Sequence, residues 1–170
     1  MSGAQVAFDQ AVVSVLVNLP PSEAFRIFTE EIDAWWRAGL KYRLGSGRSV
    51  LHLECRLGGR LFESFQTASG QQVHETGRVL HWEPPRLLLL EWRAVNFAPE
   101  EKTEVEVQFE PSPSGTRVTV RHRGWAEIRA DHPVRHGQDS SAFVRAMGSW
   151  WGGLMASLRE YGAEGSQSSL

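Results

Sequence analysis

Phe143, Met147, Trp150, Trp151, Leu154, Leu158 and Tyr161 recur at three- and four-residue spacing over about five helical turns. A helix that long with one apolar face must bury that face against another element. Only one surface in the rest of the chain is large enough. Residues 11–19 are β-branched and alternating. Six further alternating runs follow, at 49–57, 60–67, 72–83, 86–95, 102–110 and 116–123. Gly58-Gly59, Ser69-Gly70, Pro84-Pro85 and the Pro111 to Gly115 segment separate them as turn signals. Strands at roughly ten-residue spacing predict an antiparallel meander. After the first strand, Pro20-Pro21 opens a helix that carries Ala24, Phe25, Phe28 and Ile32 on one stripe and runs to about Glu30. Residues 32–36 predict a second short helix. Asp139 or Ser140 caps the long helix and Gly162 ends it.

The expected fold is α+β: a curved seven-stranded antiparallel sheet wrapped around a long C-terminal helix, with two short helices after the first strand. One domain spans 1–170, with its core at about 11–161 and flexible ends at 1–9 and 163–170. A strongly curved sheet gripping one helix leaves a hollow between them, and such hollows hold small molecules.

Several function classes are excluded on composition. The net charge is −2 with no single-sign tail, which speaks against nucleic acid. The longest apolar run, Leu87 to Leu90, is far short of the ~20 residues that span a bilayer, so no membrane insertion is expected. One cysteine rules out an internal disulfide framework. Residues 1–10 show neither a basic nor a long apolar region, so the expected compartment is the cytoplasm. The sequence has no P-loop, no G-x-G-x-x-G, no G-x-S-x-G and no paired cysteines, and no cofactor is expected.

Together the pieces resemble the START-like (SRPBCC, birch-pollen-allergen-like) superfamily with its helix-grip fold. Within it the sequence is most similar to homologues of the heat-shock-protein-90 ATPase activator. The resemblance rests on Glu23-Ala24-Phe25 after Pro20-Pro21, Trp35-Trp36, Arg56-Leu57-Gly58-Gly59-Arg60-Leu61 and Gly77-Arg78-Val79. Pro84-Pro85-Arg86-Leu87, Glu91-Trp92, the 115–125 segment and Trp150-Trp151 with Leu154 to Leu158 complete it. The superfamily includes lipid and hormone carriers, polyketide cyclases and co-chaperone domains, so the fold alone does not choose a function. The eukaryotic activator carries an additional N-terminal domain for its chaperone contact. That domain has no counterpart in this sequence, and chaperone contact is disfavoured. Arg-heavy, Lys-poor usage fits a bacterial source.

Seven tryptophans need a large core or a lined pocket. Neighbouring helical positions lie about 100° apart, so within Trp35-Trp36 and Trp150-Trp151 one ring packs and the other lines the pocket or its rim. His122 shares a face with Val118 and Val120 and reads either as a hydrogen-bonded core residue or as a polar anchor or acid/base group. Glu91 lies on a strand with Leu87 and Leu89 on its face. It reads either as a structural ion pair with Arg78 or Arg93 or as a ligand-binding carboxylate. The expected ligand-binding set is His122, Glu91, Trp92, Trp36, Phe109, Val120, Trp150 and Met147. Cys55, on the apolar face of its run, reads as an inert buried thiol. Glu63 and Glu75 are expected to be exposed. Asp131, His132 and His136 lack the tight ligand pairs of a zinc site, so no metal is expected.

The leading reading is a protein that binds an apolar or aromatic small molecule. A cyclase/aromatase- or hydrolase-like enzyme using the same cavity is the alternative, and a chaperone-assisting protein-binding domain is the third. No nucleophile–base pair is visible, and no catalytic residue is assigned. Pairing through the first or last strand would make a homodimer.

Overall fold

The computed structural model describes residues 10–45, 48–93, 97–125, 128, 132 and 140–168. Strand β1 (Gln10–Val17) leads into α1 (Pro21–Glu30) and α2 (Ile32–Trp35). Strands β2 (Ser49–Leu53), β3 (Arg60–Thr67), β4 (Gly70–Glu83), β5 (Leu87–Trp92), β6 (Thr103–Ser112) and β7 (Gly115–Arg123) follow, and α3 (Ser140–Ser168) closes the chain. The seven strands form one antiparallel sheet in the order β1-β7-β6-β5-β4-β3-β2. The meander therefore runs unbroken from β2 to β7, and β1 closes on β7. This is the expected α+β architecture, a curled sheet gripping a C-terminal helix.

Strand alternation decides what the sheet buries. Leu88 and Leu90 of β5, Val105, Val107 and Phe109 of β6, and Val118 and Val120 of β7 all face inward and are fully buried. Trp151, Leu154, Met155 and Leu158 of α3 meet them in the same core. Each such side chain contributes roughly 1.5–3 kcal/mol by leaving water.

Four local expectations are corrected. Gly162 does not end the helix, which continues to Ser168. Gly162 is instead a packing residue: a Cβ there would lie 2.8 Å from Val17 Cγ1, so its absence lets α3 close on β1. The run at 49–57 is strand only to Leu53. Glu54 leaves the ladder and accepts the Arg60 amide at 2.8 Å and its guanidinium at 3.1 Å. The chain turns there through Gly58 and Gly59, which leaves Cys55 exposed rather than buried. Finally, Glu63 is buried. Its carboxylate accepts the backbone amides of Leu44 (2.9 Å) and Gly45 (2.9 Å), which tie the 39–45 loop to β3. Residues 1–9, 169 and 170, expected to be loose, and the cap candidate Asp139 lie outside the described residues.

Close backbone approach makes Gly77 irreplaceable. A Cβ at this position would sit 1.5 Å from the Glu91 carbonyl oxygen of the neighbouring strand. Gly148, in α3, meets nothing within 4 Å. Gly77→Ala is therefore expected to cost at least about 3 kcal/mol, and Gly148→Ala to gain about 0.5–1 kcal/mol. Urea unfolding of the two variants checks both signs.

Candidate functional site

Four indoles converge between α3 and the sheet. Helix α2 ends at Trp35, and Trp36 adopts an extended backbone. The two adjacent rings both turn inward and meet at 5.4 Å, but take different partners. The Trp35 indole N–H points at the carbonyls of Ile27 and Phe28 (3.2 and 3.3 Å), while the Trp36 ring stacks on Trp92 at 6.2 Å. Both are buried, so the one-in, one-out reading does not describe this pair. On α3 the helical angle does separate neighbours. Trp151 is buried and Trp150 is half-buried. Trp36 meets Trp150 at 5.8 Å and Trp151 at 5.9 Å, both edge to face. Trp92 completes the group, 5.7 Å from Trp151.

His122 sits beneath this cluster and is fully buried. An indole N–H can only donate. The Trp151 Nε1–H points at His122 Nδ1 (3.1 Å), so Nδ1 carries no proton. The neutral ring then holds its proton on Nε2 and donates to Thr103 Oγ1 at 2.8 Å, and Thr103 donates in turn to the Trp92 carbonyl at 3.1 Å. Burial pushes the imidazole down to about 3. The ring is thus neutral, fixed in one tautomer and used at both nitrogens. It has no nitrogen left for a ligand or for proton transfer.

The 37–45 segment covers the cluster. The Trp36 indole N–H donates to the Tyr42 carbonyl (3.0 Å) and the Trp150 N–H to the Lys41 carbonyl (2.7 Å). Arg37 Nε donates to the Gly153 carbonyl at 2.7 Å, and the Tyr42 ring lies 5.4 Å from Trp150. Arg43 locks the segment from below. Its buried guanidinium binds the Asp33 carboxylate (2.6 Å) and the carbonyls of Asp33 and Trp36 (2.9 and 2.8 Å).

Of the expected site residues, His122, Trp36, Trp92 and Trp150 come together here. Met147 packs beside them and also reaches a smaller cluster of Trp125, Ile128 and Phe143. The remaining three lie elsewhere. Glu91 does share a face with Leu87 and Leu89, but that face is the outer one. It pairs there with Arg93 (3.6 Å) and Lys102 (3.7 Å), while Arg78 pairs with Glu75. Phe109 belongs to a second aromatic group with Phe25 (5.0 Å) and Phe28 (5.6 Å). Val120 is sealed in the core, paired across the sheet with Val13 and Val107. Thr103 and Tyr42 were missed. Thr103 was legible as the one polar member of the inward row Thr103, Val105, Val107, Phe109; Tyr42 lies on a loop without periodicity.

Among the described residues, no group of three or more His, Cys, Asp or Glu could hold a metal ion, and no helix is long and apolar enough to cross a membrane. His132 pairs with Glu101 at 3.1 Å, whereas Asp131 and His136 lie outside the described residues.

The family described as activator of Hsp90 ATPase homolog 1-like protein matches residues 18–160. No curated protein matches the sequence. Solved structures do. A Mesorhizobium loti protein is 19% identical with a TM-score of 0.58, over 89% of this chain and 94% of its own. The Aha1 dimer from Colwellia psychrerythraea is 15% identical with a TM-score of 0.58, over 89% and 93%. DynU16, from the dynemicin biosynthetic locus, is 20% identical with a TM-score of 0.60, over 90% of this chain but 46% of DynU16. At these identities the likeness shows the fold alone.

Two outcomes follow from the buried imidazole. Thr103→Val keeps the shape but strands the Nε2–H, at an expected cost of about 1–3 kcal/mol in urea unfolding. The folded imidazole lies near 3 and the free one near 6.5, so the unfolded chain takes up this proton first as pH falls. The stability tied to neutral His122 is complete above about pH 6.5 and is lost as pH falls toward 3. Unfolding measured across that range should show one proton's worth of extra pH slope relative to His122→Gln.

Proposed function

From the premise that the chain belongs to the activator of Hsp90 ATPase homolog 1-like protein family, we propose that it binds a small apolar or aromatic molecule against the Trp36–Trp92–Trp150 cluster. Proteins of this fold bind ligands or act as polyketide cyclases. One observation carries the reading. The indole N–H groups of Trp36, Trp150 and Trp151 are all spent on protein acceptors. What the cluster can still offer is ring surface, and the rings of Trp92, Trp150 and Tyr42 are only half-buried. Such a wall favours flat apolar molecules, because stacked and edge-to-face rings gain about 0.5–1.5 kcal/mol beyond area burial. Among the described residues no acceptor meets the Trp92 indole N–H. It takes over the orienting role that the sequence assigned to His122 and Glu91. Met147 supplies a side chain that adapts to the ligand's outline.

An enzymatic reading would draw on His122 or Glu91. The first has both nitrogens engaged, and the second lies on the outer face. Binding is therefore the better-supported function.

Native mass spectrometry of the purified protein, joined to a tryptophan-fluorescence titration with 1-aminoanthracene, tests this. The expected result is a co-purifying compound or saturable quenching, weakened at least about tenfold, or 1.4 kcal/mol, by Trp150→Ala. Absence of both an adduct and saturable quenching, or quenching that Trp150→Ala leaves untouched, would contradict it.

A further inference from the structure

A separate recess of about 350 Å³ lies between α1 and the turn joining β4 to β5, lined by Phe25, Trp82, Pro84 and Pro85, with Arg26 and Glu30 along the helix. None of the residues in the tryptophan cluster lines it. Its volume is at the small end of the range for small-molecule sites. The floor is aromatic: Phe25 and Trp82 meet edge to face at 5.1 Å.

The charges around it choose the sign of a ligand. Arg26 is the one cation of the lining, and it is already engaged. It pairs with Glu23 at 3.0 Å and with Glu31, and these bonds raise its proton affinity above the ordinary arginine value. Glu30 lies 3.9 Å from the same guanidinium, the longest of the three links, and its side chain is 60% exposed. One guanidinium thus faces three carboxylates, and an anion would find no free partner.

Helix geometry points the same way. Helix α1 ends at Glu30, with no basic residue in its last turn. The C-terminal end of a helix carries partial negative charge, and a carboxylate there opposes the dipole. Glu31 is engaged by Arg26 and by the Tyr161 hydroxyl, so Glu30, the carboxylate that lines the recess, sets the negative potential at its end. Cations are drawn both to such a pole and to the faces of aromatic rings.

We propose that this recess is a second ligand site, which takes a small organic cation with its apolar body on Phe25, Trp82 and the proline rings and its ammonium head at Glu30. The test is a titration of ¹⁵N-labelled protein with benzyltrimethylammonium, benzyl alcohol and phenylacetate. Saturable shifts at the Trp82 indole and the amides of residues 22–30 are expected with the cation. Benzyl alcohol should bind at least about fivefold more weakly, and phenylacetate should give no saturable shift. Glu30→Gln should weaken the cation about fivefold while leaving the thermal midpoint unchanged or higher, since it removes a charge that opposes the dipole. Equal affinity for the three probes, shifts at Trp92 and Trp150 instead, or unchanged cation affinity in Glu30→Gln would overturn the proposal. So would occupation by a polyproline peptide with no response to the cation, which would make the recess a protein-docking groove.

Discussion

The hydrogen-bonded line Trp151–His122–Thr103–Trp92 joins the C-terminal helix to three neighbouring strands through a fully buried imidazole. A polar ring at that depth is tolerable only if both nitrogens are matched, because each unmatched group would carry its desolvation cost in full. The match also has a direction. Trp151 can only donate, so every proton along the line is placed by that one fact. An apolar residue at 122 could fill the space but would not fix where along the sheet Trp151 sits. The buried network therefore sets the register of helix on sheet, while the aliphatic core supplies most of the binding energy between them.

That register has consequences for the neighbouring rings. With Trp151 anchored downward, the helical angle turns Trp150 toward the rim, where the 37–45 segment caps it. Trp36 reaches the same place from the end of α2. Spending the indole N–H groups of Trp36, Trp150 and Trp151 on protein acceptors leaves a cluster whose remaining surface is mainly apolar. The α1 recess contrasts with it in sign and position, combining an aromatic floor with a negative helix end.

The strand order and the gripped helix were legible because two strong periodicities, two for strands and 3.6 for the helix, run through most of the chain. The first strand's Pro20-Pro21 stop and the Gly58-Gly59 turn were local signals of the same quality. The candidate site was legible only by residue type. Tryptophans announce a ring cluster, but nothing in a one-dimensional pattern says that α2 ends between Trp35 and Trp36 and sends both rings inward. Glu91 was assigned to the right strand face, yet which face is concave depends on how the whole sheet curls. Glu63 looked like a surface carboxylate because its amide partners, Leu44 and Gly45, come from a loop without periodicity. Gly162 carried the sequence signature of a helix stop while serving as a contact point for Val17.

The most direct measurement of the account is long-range ¹H–¹⁵N NMR of the His122 ring between pH 7 and pH 4. A neutral imidazole protonated at Nε2, unchanged across that range, is the predicted result. A ring that titrates near its free value, or that carries its proton on Nδ1, would break the Trp151–His122–Thr103 line and contradict the account.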